Sequence, residues 1–211
     1  MSHAELDSPV PTPEGDSASV AVVRKRPKPG ERRVQILQAL ATMLEQPGAE
    51  RITTAALAAR LEVSEAALYR HFASKAQMFE GLIEFIEQSV FTLINQIAER
   101  EPAGAGQAGR MVAMLVQFAE KNPGMTRVMV GDALVFENDR LQQRMNQFFD
   151  KVEASLKQCL RSIDGAAPTV DAAVRASVLT AFTVGRLQRF ARSGFKRVPS
   201  EHLDASLARM L

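Results

Sequence analysis

From about residue 31 onward, apolar residues recur at three- and four-residue steps, the period of an amphipathic helix. The first run, Glu31 to Glu45, turns Val34, Leu37, Leu40, Ala41 and Leu44 inward and stops at Pro47-Gly48. Arg51 to Lys75 reads as two short helices and the start of a third. Thr53 caps the first short helix, which buries Ile52, Leu57 and Leu61. Glu62-Val63-Ser64 makes the turn, and Ser64 caps the second, in which Leu68 and Phe72 point inward one turn apart. Lys75 to about Arg100 forms a long helix with a core stripe of Phe79, Leu82, Ile83, Ile86, Val90, Leu93, Ile94 and Ile97. Met78 and Phe85 fall off that stripe, about 100° around the axis.

After a loop at Glu101–Gly109, a helix from about Gln107 to Lys121 buries Met111, Leu115 and Phe118. Asn122-Pro123-Gly124 breaks the chain, and a short helix runs from Met125 to Val130. Phe136 to Ile163 is the next long helix, with Leu141, Met145, Phe148, Val152, Leu156, Cys159 and Ile163 inward, stopped by Asp164-Gly165 with Pro168 beyond. Val170 to Arg192 is apolar over a wide arc and rich in Ala, Ser and Gly, so it must be covered on more than one side. Ser200 caps a last helix with Leu203, Leu207 and Leu211 on one side.

The predicted fold class is all-α: an N-terminal three-helix DNA-binding domain over residues 31–75 and a larger helical dimerisation and regulatory domain over residues 76–211. Composition agrees, because Ala, Leu, Gln, Glu, Arg and Met recur and strand-favouring aromatic runs are scarce. Residues 1–30, rich in Pro, Ser, Ala and Gly, read as a disordered tail with a basic end at Arg24, Lys25, Arg26 and Lys28. That end either lies along phosphates or merely solubilises the chain.

The formal net charge of +2 confines any nucleic-acid surface to a local patch. The lone Cys159 excludes an intrachain disulfide framework, fits a reducing cytoplasm, and sits among core residues. No run is long and apolar enough to span a bilayer, and no secretory signal opens the chain.

Two short helices joined by a tight turn, the second with a polar outer face, form a helix-turn-helix, whose second helix fits the major groove of DNA. Such pairs also occur in helical domains that never meet DNA. Here Arg32 and Arg33 precede the motif, Glu65, Ala66, Tyr69 and Arg70 share its outer face, and His71 lies beside them. Lys75 opposes the dipole of the helix it opens, but suits a phosphate docked there. In the DNA-bound arrangement, Arg51, Thr53, Thr54, Tyr69 and Lys75 position the motif on phosphates, while Ser64, Glu65, Ala66 and Arg70 lie nearest base edges.

The stretches RITTAALAARL and VSEAALYRHFASK resemble the DNA-binding domain of the TetR family of bacterial repressors. LIEFIEQS at Leu82–Ser89, EKNPGMTR at Glu120–Arg127 and FENDRLQQRMNQFF at Phe136–Phe149 are similar to one branch, the nucleoid occlusion factors of gammaproteobacteria. The resemblance spans about Arg32 to Leu211 and leaves out the tail. In the turn, Glu62 stands where most of the family has Gly, at a cost of roughly 1 kcal/mol for a left-handed backbone.

The resemblance implies a homodimer on double-stranded DNA that antagonises assembly of the division ring by binding the tubulin-like division protein, FtsZ. It points to Phe85, Lys121 and Asn122 as partner-binding residues. Lys121 replaces a usual Arg, keeping the charge and losing the planar fork. The wide apolar arc together with the family's two-fold packing favours a dimer interface through Val178, Phe182 and Leu187, with deep burial within one chain as the competing reading. The implied location is cytoplasmic and nucleoid-associated.

No phosphate-cradling Gly loop, nucleophile elbow or metal-ligand spacing is present, so neither enzyme chemistry, cofactor nor metal is expected. Two further readings stand beside the first: a ligand-responsive TetR-type repressor, which needs a sizeable cavity in the larger domain, and a purely structural helical dimer. Met111, Met114, Met129 and Phe118 look like core filling, which makes a small-molecule ligand the less favoured reading.

Overall fold

A computed structural model describes residues 30–46, 52–161 and 169–211. Residues 1–29 of the tail, Pro47-Gly48, Arg51, Ile163, Asp164-Gly165 and Pro168 lie outside the described residues. Helices α1 (Glu31–Leu44), α2 (Thr54–Arg60) and α3 (Glu65–Tyr69) form the small N-terminal unit. The larger unit holds α4 (Lys75–Arg100), α5 (Ala105–Lys121), α6 (Pro123–Met129), α7 (Asp139–Leu160), α8 (Thr169–Arg192) and α9 (Leu203–Met210).

The core is continuous across both units. α1 buries Ile36, Leu40, Ala41 and Leu44, while Val34, expected inside, is 53% exposed in the first turn of the helix. Leu57, Leu68 and Phe72 close the small unit from the other side. α4 is covered by α1 at its start and by α5, α6 and α7 further on. That double cover explains why Met78, expected off the core stripe, is fully buried. Leu93, expected in the stripe, is 37% exposed, and Ile97 is half-buried.

α7 packs on both α8 and α4, with Phe148 edge-on to Phe91 of α4 and to its own neighbour Phe149. A row of ion pairs also ties α7 and the segment before it to α4: Glu137 with Lys75, Arg140 with Glu80, and Arg144 with Glu87. The hydrogen bond to Glu87 raises the pKa of Arg144 against the opposing effect of burial. Cys159 is buried, and burial pushes its thiol pKa up, as suits a core residue.

Several boundaries differ from the sequence reading. Pro123 does not simply break the chain; it opens α6, where its missing N–H costs nothing. α7 begins at Asp139, with the Asn138 side chain capping it, so Phe136 lies outside the helix and is 67% exposed. Ser200 does not cap α9. His202, at φ 53°, precedes its first residue, and Ser200 contributes only its carbonyl, which accepts from the Leu203 N–H.

Candidate nucleic-acid interface

Two side-chain caps set the angle between α2 and α3. Thr53 Oγ accepts from the Ala56 N–H at 3.1 Å, and Ser64 Oγ accepts from the Ala67 N–H at 3.3 Å. Between them the chain turns at Glu62, whose φ of 54° is left-handed, the conformation expected where the family carries Gly. The Val63 N–H donates back to the Ala58 carbonyl at 3.0 Å and closes the turn. Val63 is half-buried against the core and Leu68 fully buried, so the opposite side of α3 faces outward. Thr53→Ala should cost about 1 kcal/mol of stability through the lost cap, measured by denaturant unfolding.

The outward side carries Ser64, Glu65, Ala66, Tyr69, Arg70 and His71, all exposed, with Tyr69 at 44%. Thr53 is exposed beside them, and Thr54 is half-buried, its hydroxyl donating to Glu65. Arg32 is half-buried at the start of α1. Arg33 has an internal task that the sequence did not reveal. Its guanidinium lies 4.0 Å from the centre of the Phe72 ring, and Nη1 donates to the His71 carbonyl at 2.9 Å, pinning the end of α3. Lys75, the first residue of α4, is likewise engaged, pairing with Glu137 just before α7. The ion pair accounts for a cation that opposes the helix dipole.

The remaining candidates lie far along the chain from this face. Phe85 is 47% exposed on α4. Lys121 is exposed at the end of α5, but Asn122 is half-buried, its Nδ2 donating to the Phe118 carbonyl at 2.7 Å. Asn122 therefore closes α5 structurally. On α8, Val178 is 48% exposed and Phe182 half-buried, whereas Leu187 is fully buried within its own chain. Leu187 is thus no interface anchor. The five residues from Phe182 rotate it about 140° around the helix, onto the core side. The exposed apolar stripe is instead Val170, Val174 and Val178, at four-residue steps.

Known proteins share this arrangement. Residues 36–82 match the family described as bacterial regulatory proteins, tetR family, and residues 107–210 match the tetracyclin repressor-like C-terminal domain of the SlmA-like type. A protein of Idiomarina loihiensis named nucleoid occlusion factor SlmA is 52% identical, over 82% of this chain and 90% of its own length. The chain belongs to the nucleoid occlusion factor branch of the TetR family. A protein of the same name from Escherichia fergusonii is also 52% identical, again over 82% of this chain and 90% of its own.

Solved structures share the fold at far lower identity. The fatty acid degradation regulator FadR of Bacillus halodurans superposes with a TM-score of 0.70 at 14% identity, over 88% of this chain and 96% of that one. A transcriptional regulator of Rhodococcus gives 0.69 at 19% identity, over 84% and 92%. Family membership makes the protein a DNA-binding regulator rather than an enzyme. Among the described residues no group of His, Cys, Asp or Glu could hold a metal ion, and no helix is long and apolar enough to cross a membrane.

Proposed function

We propose that this protein is a nucleoid occlusion factor. In this reading it is a cytoplasmic, nucleoid-associated homodimer that binds sites dispersed over the chromosome and there antagonises assembly of the division ring by engaging a tubulin-like division protein. The observation that carries the reading is the outward face of α3, held by two side-chain caps and left exposed among the described residues. Tyr69 and Lys75 position the motif on phosphates, and Glu65 and Arg70 face base edges.

The Val170, Val174 and Val178 stripe meets its copy across a two-fold axis. That spaces the two α3 helices to read half-sites about one helical turn apart.

A groove of about 390 Å³ between α4 and α5 suits the division protein. Leu93, Ile97 and Met114 supply apolar lining, Arg100 supplies positive charge, and Arg110 pairs with Glu101 on the same rim at 2.9 Å. An extended segment with apolar and acidic residues fits such a surface. Phe85 on α4 and Lys121 at the end of α5 extend the same pair of helices. Identity of 52% with a nucleoid occlusion factor over 82% of the chain favours this over a ligand-sensing role.

The test is capture of the purified division protein by the immobilised factor, with and without duplex carrying its binding site. Capture should rise when the duplex is present. Phe85→Ala should lower capture several-fold and leave DNA affinity unchanged. Loss of both together would mean that Phe85 supports the fold, and capture equal to the parent's would remove Phe85 from the partner surface.

A further inference from the structure

Glu65 opens α3 on the face assigned to DNA, where a carboxylate is electrostatically misplaced beside phosphates. Its position is nevertheless fixed. Thr54 Oγ1 donates to Glu65 Oε2 at 2.6 Å and joins the first residue of α2 to the first residue of α3. No cation among the described residues forms an ion pair with it. A solvent-exposed acid held by a hydroxyl, rather than neutralised, keeps its accepting capacity for an incoming donor.

Resting on the DNA-binding reading above, we infer that Thr54 and Glu65 act together as a specificity-determining pair that selects cytosine at one position of each half-site. The argument is one of complementarity. Donors in the major groove are few: the exocyclic amine of cytosine and that of adenine. Guanine and thymine present acceptors there, which a carboxylate repels. Adenine sets an acceptor, N7, beside its amine, so the second carboxylate oxygen meets a like partial charge. Cytosine carries only C5–H on that side, and the acceptor of its pair, guanine O6, lies on the other side of the amine. Thr54 is a positioning residue: by occupying Oε2 it limits the rotation of the carboxylate and gives the remaining oxygen one direction in which to accept.

The test uses the full-length protein and a pool of random-sequence duplexes, with the bound fraction sequenced. The parent should fix cytosine at one position in each half-site. Glu65→Gln should shift that same position toward adenine, whose amine and N7 a glutamine amide matches, by roughly tenfold in relative preference. Thr54→Val should flatten that position and hold the others. Glu65→Ala should lose discrimination at that position. An unchanged motif in Glu65→Gln, or equal blurring of every position in all three variants, would overturn the inference, the latter marking the contact as a tie between helices. A parent that selects no motif would instead sink the sequence-reading function itself, and this pair with it.

Discussion

Gly124→Ala is expected to destabilise the protein by about 1–3 kcal/mol or more and to weaken DNA binding at the same time. A Cβ built at Gly124 would lie 1.9 Å from the Ala41 carbonyl oxygen and 2.9 Å from its carbon, both backbone atoms of α1. Backbone cannot swing aside as a side chain can, so α1 and α6 would have to separate. α1 packs on α2, α4 and α6, and so links the small unit to the larger one. A melting temperature lowered by several degrees should accompany the lost affinity, at about 2–4 °C per kcal/mol for a chain of this size. Gly81→Ala is the matched control. Its new Cβ would meet side-chain atoms only, Phe72 Cε1 at 3.1 Å and Leu37 Cδ2 at 3.3 Å. Those can shift by tenths of an ångström, and the effect should be milder. Parent-like melting of Gly124→Ala would show that the helices do not approach so closely.

Tyr69→Ala is expected to cost roughly ten- to a hundredfold in affinity for every duplex tested. A hydrogen bond to a charged group is worth about 1.5–3 kcal/mol, and a phosphate contact carries no sequence information. The side chain is 44% exposed and forms no hydrogen bond among the described residues, so stability should change little. Lys75→Ala should behave differently. It removes one positive charge per subunit, so the dependence of log affinity on log salt should become shallower by about one per subunit. It also frees Glu137 from its ion pair, and stability should fall modestly. If both variants bind as the parent does, neither residue touches phosphate.

Helix periodicity made most of this fold legible. α4 matches the expected Lys75–Arg100 span, and both caps of the small unit follow from Thr and Ser placed before short apolar runs. What periodicity could not supply was neighbours. Met78 looked peripheral until α1 covered it, and Leu93 looked internal although no element covers it fully. Leu187 seemed an interface anchor because α8 is apolar over a wide arc, and sequence alone does not say which part of that arc the same chain buries. Pro123 illustrates a different gap. The residue that breaks one helix is also suited to start the next, and only the backbone distinguishes the two roles.

The outward residues of the candidate interface were legible for the same reason, since helical spacing assigns faces. The internal engagements of Arg33 and Lys75 were not. Each partner lies far away in sequence, His71 and Phe72 for Arg33 and Glu137 for Lys75, and long-range pairs leave no periodic signal.

Hydrogen–deuterium exchange with and without bound duplex tests most directly whether α3 and its flanks meet DNA. The account predicts slowed exchange in peptides spanning residues 53–75, with the α5 and α7 peptides unchanged. Protection confined to the larger unit, with α2 and α3 exchanging as in the free protein, would contradict it.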